Sequence, residues 1–259
     1  MIYTSLIQKA IKFSIQVHEL DQQQKRKGKD IPYITHPLSV GLILALSGAS
    51  EELVAAGILH DTIEDSLAEK KVTEEMLTER FGKNIAALVA SVSEFHKDQS
   101  WEVRKQEALD HIRLFSHESL LLKSADILSN ASELLDDYEQ IGDLVFDRFN
   151  APKEKILKNY LVTITAIVEC WPESPLAKDL IIVSRQLQML GAIDFMMSFP
   201  SIKIEYSDYD ENILLECPIC LWKGTSKESG MIGYYDDLFD VSCPNCDKMI
   251  LVVSYPLGR

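Results

Sequence analysis

The chain has 259 residues, 46% of them apolar, enough for one domain of ordinary size and a small second one. Its net charge of −14 and pI near 4.9 argue against polymeric nucleic acid and anionic membrane surfaces as partners, since both are polyanions. Small anionic ligands stay open, because a local basic cluster overrides the average.

The opening "MIYTSLIQKAIKFSIQ" carries Lys9 and Lys12 within its apolar pattern and lacks the features of a secretory signal. No run of about 18 apolar residues occurs, so no transmembrane helix is expected. The stretch 2–20 repeats apolar residues at helical spacing (Leu6, Ala10, Phe13, Val17). A basic polar loop follows at 21–30, "DQQQKRKGKD". "THPLSVGLILAL" predicts a helix with Pro37 in the first position, Thr35 or His36 as its cap, and Gly48 at its end. Residues 51–65 predict the next helix, followed by a short one closing at Gly82 and another over 83–95. Further helices are expected at about 101–116, 119–137, 151–170 and 175–190. Without strands in this region, many helices joined by short loops read as an all-α domain over 1–195.

The composition changes over 196–212, which reads as a linker. Beyond it, Cys217 and Cys220 form one C-P-x-C pair, and Cys243 and Cys246 a second. Two such pairs are a zinc-ribbon signal: four thiolates close a tetrahedral Zn²⁺, with rubredoxin-like iron the chemical alternative. Strand-like flanks ("NILLEC", "DVSC", "MILVVSY") complete a small β-rich domain over 213–259, in which the metal is structural because so small a core needs a staple. Its acidic insert "YYDDLFD" suits a protein partner or simple stabilisation. This cysteine usage fits a reducing compartment, and a cytoplasmic location is expected. Cys170 reads as a buried apolar residue.

"GILHDTIED" (57–65) places His60, Asp61, Glu64 and Asp65 in an apolar run. On a continuous helix they share one sector of about 140°, where carboxylates need cations or donors. An exposed acidic helix end, with His60 merely hydrogen-bonded, is the plain alternative. Two further segments favour a metal. His36 stands at a helix start in "PYITHPLSV", and Asp126 and Asn130 lie four apart on one face of "LLLKSADILSN". Imidazole and carboxylate donors suit Mn, Fe or Zn, and His36, His60, Asp61 and Asp126 leave coordination positions open, as a catalytic site requires. His18 reads either as a residue ordering a ligand or as a core histidine, and His96, His111 and His117 as surface or packing residues.

These residues resemble the HD-domain metal-dependent phosphohydrolases, with their H…HD…D signature. Within them the chain is similar to the (p)ppGpp hydrolases of the Rel/Spo-type enzymes and the small alarmone hydrolases, through "KRKGKDIPYITHPLSVGLIL", "ELVAAGILHDTIEDS" and "LLLKSADILSNASEL". The resemblance implies an all-α HD-domain fold in which His36, His60, Asp61 and Asp126 ligate a Mn²⁺-like ion. It implies that Glu64 and Asp65 serve the attacking water, that Arg26 and Lys27 contact substrate phosphates, and that Asn130 contacts the nucleotide. The implied activity is removal of the 3′-pyrophosphate of (p)ppGpp. An HD hydrolase for another nucleotide and a non-catalytic sensing module are the alternatives. The departures fall on the nucleotide side. Ile127 and Ser129 replace the Arg and His of the family's A-D-R-L-H-N, and Glu133 stands where a Thr is usual.

Overall fold

The computed structural model describes residues 3–94, 99–191, 202–217, 222–245 and 248–256. The chain divides into two compact units, Met1–Asp194 and Phe195–Arg259. The first is helical: α1 (Ser5–Ile15), α2 (Thr35–Leu46), α3 (Glu51–Leu59), α4 (Thr62–Asp65), α5 (Glu74–Phe81), α6 (Lys83–Val92), α7 (Trp101–Ile112), α8 (His117–Ile141), α9 (Lys153–Cys170) and α10 (Ala177–Gly191).

Helix α3 is the centre of this unit. Every residue from Leu53 to Leu59 is buried, which is why its sequence is apolar all round rather than amphipathic. Ser50 caps it, its side chain accepting from the Leu53 N–H at 3.2 Å. Helices α2 and α3 form an antiparallel pair joined by a four-residue turn that includes Gly48 at φ +81°. Two glycines bring them close. A Cβ on Gly41 would lie 2.6 Å from Ile58 Cγ1, and one on Gly57 would lie 2.4 Å from Leu44 Cδ1. The arms are of similar length, so the start of α2, with His36, returns to the end of α3, with His60.

Several expectations need correction. Pro37 is the third residue of α2, not the first; the helix begins at Thr35, and neither Thr35 nor His36 caps it. Pro37 still lies among the first four N–H positions, which have no partner within the helix. The predicted helix over 2–20 is α only to Ile15, and Gln16–Leu20 widen into a π-helical turn. The predicted helix over 51–65 is broken at His60–Asp61. His60 Nδ1 donates to the Gly57 carbonyl at 2.8 Å and Thr62 Oγ1 to the Leu59 carbonyl at 2.7 Å. These side chains take carbonyls at the end of α3, in competition with a continued helical ladder. Cys170, the last residue of α9, is exposed.

The second unit holds a four-stranded sheet in the order β1-β6-β5-β4 and a hairpin β2-β3. The strands are β1 (Ile202–Glu205), β2 (Leu214–Glu216), β3 (Lys223–Thr225), β4 (Ile232–Tyr234), β5 (Leu238–Ser242) and β6 (Met249–Ser254). A short helix, α11 (Ser226–Ser229), starts with a Thr225–Glu228 capping box. The stretch read as a linker is therefore partly structured: β1 pairs in parallel with β6, Ile202 opposite Leu251. Of that stretch, 196–201 lies outside the described residues. No described helix is long and apolar enough to cross a membrane.

Candidate active site

Three segments deliver the cluster: the first turn of α2 (His36), the break after α3 (His60, Asp61) and the middle of α8 (Asp126). His36 Nε2 lies 3.2 Å from Asp126 Oδ1 and 3.6 Å from Asp61 Oδ2, and His60 Nε2 lies 3.0 Å from Asp61 Oδ2 and 3.9 Å from Asp126 Oδ1. One donor atom each from His36, His60 and Asp126 falls within 4.8 Å of the others. These separations suit donors sharing one cation at bond lengths of about 2.1 Å. The remaining ring nitrogens are held from behind: His60 Nδ1 by the Gly57 carbonyl, and His36 Nδ1 by Ser129 Oγ at 2.9 Å. Such backing fixes each Nε2 toward the ion. His60 Nε2 is buried and faces the Asp61 carboxylate 3.0 Å away, on the side where the donors converge. The donor set therefore fits a divalent cation.

The electrostatics agree. Burial alone would lower the His60 pKa, but the charge of Asp61 and the hydrogen bond to it, with the charge of Asp126 and the bond to Gly57, raise it to about 9. Burial would raise Asp61, yet His60 and His36 hold it far below the usual carboxylate range. Asp126 is likewise held low against burial, by Lys123 first and then by the two histidines. Without an ion, protons and Lys123 supply the positive charge that two buried carboxylates demand.

The surrounding cleft has a volume of about 250 Å³. One wall is cationic. Lys123 Nζ donates to Asp126 Oδ2 at 2.8 Å, and its pKa is raised against burial by Asp126, Glu64 and Glu94. Lys105, from α7, lines the same wall and binds Glu94, whose carboxylate also accepts from Arg104 Nη1 at 2.7 Å.

The residues expected to act on water divide. Glu64 lines the cleft, its Oε2 accepting the Glu94 N–H at 3.1 Å. Asp65 does not line it; Asp65 Oδ2 accepts from Gln24 Nε2 at 3.0 Å, and its carbonyl from Gln22 Nε2 at 2.9 Å. The break at His60–Asp61 separates groups that a continuous helix would have kept together. His18, in the π-helical turn, packs against Tyr33 with ring centroids 5.0 Å apart. Its Nδ1 pairs with Gln24 Oε1 at 2.7 Å, linking it to Asp65, and burial lowers its pKa.

The residues expected to bind substrate are already engaged. Arg26 donates through Nε to Glu133 at 2.8 Å and through Nη2 to Asn130 Oδ1 at 2.7 Å. Asn130 Nδ2 in turn donates to Asp126 Oδ1 at 2.7 Å. Lys27 lies over the Phe149 ring, 5.2 Å from its centroid, in a cavity of about 280 Å³ that shares Lys105, Asn159 and Tyr160 with the cleft. His111 and His117 are exposed, and His117 stacks on Trp171 at 4.2 Å; His96 lies outside the described residues.

Several site residues escaped the sequence reading. Tyr33 donates its hydroxyl to Asp61 Oδ2 at 2.6 Å. Lys123, Asp126, Asn130, Glu133 and Asp137 form one stripe of α8 at alternating spacings of three and four. That spacing was the available signal for Lys123 and Asp137. Nothing local marks Lys105, which reaches the cleft only through tertiary packing.

In the second unit Cys217 and Cys243 are fully buried. The Cys217 N–H donates to the Trp222 carbonyl at 2.8 Å, and the Cys243 N–H to the Lys248 carbonyl at 2.7 Å. Cys220 and Cys246 lie outside the described residues.

The HD domain family model matches residues 10–142. A guanosine-3′,5′-bis(diphosphate) 3′-pyrophosphohydrolase of Aquifex aeolicus is 37% identical over 131 residues, covering 49% of this chain and 18% of the relative. The protein of the same description, MESH1, from Danio rerio is 31% identical over 133 residues, covering 51% of this chain and 70% of the relative. The chain thus spans less than a fifth of the Aquifex relative's length. A solved structure described as a metazoan ortholog of SpoT that hydrolyzes ppGpp superposes with a TM-score of 0.57 at 20% identity, over 72% of this chain and 96% of that one. At that identity the likeness is one of fold.

Proposed function

The chain belongs to the HD-domain family, and from that premise we propose that it is a metal-dependent hydrolase removing the 3′-pyrophosphate of (p)ppGpp or a closely related nucleotide. The observation that carries this reading is the convergence of His36, His60, Asp61 and Asp126 beside a cleft with a lysine-bearing wall. A divalent cation held by these four, Mn²⁺ in our reading, supplies Lewis acidity toward a phosphoryl oxygen. Lys105 and Lys123 meet the phosphates as point charges. Glu64, in the cleft, takes the proton of the attacking water, and Asp65, anchored by Gln22 and Gln24, holds α4 in place. Asn130 and Arg26 position Asp126.

The test is pyrophosphate release from ppGpp by the full chain with Mn²⁺, in wild type and Glu64→Gln. Release by the wild type alone supports the reading, and equal release by both overturns the role of Glu64. A second reading, an HD hydrolase for another nucleotide, draws support from Ile127 lining the cleft and from Glu133 binding Arg26. A panel of nucleotides under the same conditions separates the two.

For the second unit we propose a structural Zn²⁺ on Cys217, Cys220, Cys243 and Cys246, supported by the burial of Cys217 and Cys243 and by the like backbone hydrogen bonds of their amides, each to the carbonyl five residues on. Such thiolates belong to a reducing compartment, in line with a cytoplasmic location. Elemental analysis of the full chain should find one zinc, lost in Cys243→Ser; a zinc-free wild type overturns the assignment.

A further inference from the structure

The metal cleft and the neighbouring cavity share Lys105, Asn159 and Tyr160, and so form one trough. Along α7 its lining passes from Trp101 through Lys105 to Ala108, and along α9 from Ile156 through Tyr160 to Thr163. Each path covers seven residues, about 10 Å. The two halves differ in chemistry. Asp61, Glu64, Glu94 and Asp126 line the cluster half, whereas no carboxylate of the described residues lines the distal cavity of about 280 Å³, in a chain with 40 acids. The distal walls are aromatic and apolar (Trp101, Phe149, Tyr160, Ile156), with two amides, Asn150 and Asn159. Trp101 and Phe149 are half-buried, and Phe149 is backed by Phe146 at 6.4 Å.

The cations near this end are not equivalent. Arg104 and Lys105 are bound to Glu94. In the loop, Lys25 pairs with Asp30, Arg26 with Glu133, and Lys29 with Glu133 and Asp137. Lys27 has no carboxylate partner among the described residues; its ammonium lies over the Phe149 ring at the cavity wall. A diphosphate asks for several cations. One ammonium beside rings and amides suits a neutral planar group with acceptor atoms on its edge.

We propose that the distal cavity is the base subsite: a purine stacks on Trp101 beside Phe149, and Lys27 donates to its edge, choosing guanine. Stacking on an aromatic face is indifferent to which base is present, so the edge decides. Guanine offers two acceptors, O6 and N7, that a lysine serves, whereas adenine offers a donor, its N6 amine, in place of O6. Lys27 carries donors only, so adenine sets donor against donor. Asn150 and Asn159 hold both a donor and an acceptor and serve either base. With the base at the Trp101 end, the sugar lies at the neck formed by Lys105, Asn159 and Tyr160, and its 3′ arm reaches the histidine–aspartate cluster. This inference rests on the nucleotide reading above; it adds where the base is held and which residue selects it.

The test is steady-state hydrolysis by the full chain with Mn²⁺, on ppGpp and on its adenine analogue, adenosine 3′,5′-bis(diphosphate). The wild type should prefer ppGpp by about tenfold or more in kcat/KM, the size of one specific edge contact. Trp101→Ala, checked for folding by circular dichroism, should raise KM for both nucleotides by about 10- to 100-fold with kcat within about threefold, because the contact is made equally before and during the reaction. Trp101→Phe should restore KM to within about threefold of the wild type. Lys27→Met should reduce the preference for ppGpp by about tenfold. An unchanged KM in Trp101→Ala overturns the proposal, and so does a Lys27→Met that weakens both nucleotides equally, which would place Lys27 on a phosphate. If the wild type turns over neither nucleotide, the nucleotide reading falls, and the base subsite is judged by binding alone. Guanosine 5′-monophosphate should then quench tryptophan emission in the wild type and lose that quench in Trp101→Phe; a wild type without quench overturns the subsite as well.

Discussion

The two ends of the α8 stripe use the same residue types for opposite ends. Around Asp126, acids and imidazoles from three segments converge on one point, with His60 Nε2 3.0 Å from Asp61 and its other ring nitrogen anchored on Gly57. Around Glu133 and Asp137, the cations are taken up by carboxylates at 2.5–2.8 Å. Imidazole and carboxylate donors aimed at one point suit a cation, whereas a network of cations and carboxylates is complete as it stands. The comparison teaches that charge near a cleft does not by itself mark a ligand site; the convergence of metal-donor side chains on one point does.

That contrast can be broken most severely at the cluster. Asp126→Ala removes a carboxylate donor and also takes the acceptor from Lys123 and from Asn130 Nδ2, so pyrophosphate release should fall to background and bound divalent metal should be lost, as read by activity assay and metal analysis. Ser129→Ala leaves all four donors but frees the His36 ring, and should reduce metal affinity or activity by about 10–100-fold, measured by calorimetric titration. Retention of full affinity would mean that Ser129 does not orient His36.

The pH dependence sharpens the same point. His60 has a pKa raised from 6.5 to about 9 in the metal-free protein. Its contribution to metal-free stability is therefore fully present below 6.5 and is lost as pH rises through about 9. A metal must displace that proton, so affinity should strengthen by up to about tenfold per pH unit across this window, with proton release visible as a dependence of binding heat on buffer. Flat affinity from pH 6.5 to 9 would contradict the arrangement.

Smaller effects belong to packing and to the loop end. Gly57→Ala forces a methyl to within 2.4 Å of Leu44 Cδ1, an overpacking that should cost about 1–3 kcal/mol in urea unfolding. Arg26→Gln at the closed network should cost about 1 kcal/mol, because Lys29 still neutralises Glu133.

Much of this was legible in the residues. The apolar periods of α1, α5, α6, α8 and α9 report helices because each buries one face, and Gly48 and Gly82, both at positive φ, mark helix ends. The four residues of the cluster could be chosen from three separated segments because a charge in an apolar run needs a reason. The break at His60–Asp61 was not legible: a helical wheel presumes the ladder continues, and two side chains taking carbonyls ended it. The strand at Ile202–Glu205 was missed because its partner, β6, lies almost fifty residues away.

Local chemistry along the chain thus determined which residues are helical, which polar groups stand in apolar surroundings, and which cysteines are paired in sequence. Only the tertiary structure decided which polar groups face the cleft and which partner each one takes. Lys105 enters the cleft, Asp65 turns to Gln24, and Arg26 is claimed by Glu133 from 107 positions along the chain. The reason is physical: burial can be anticipated from sequence spacing, but pairing between distant charges exists only after the helices that carry them have packed together.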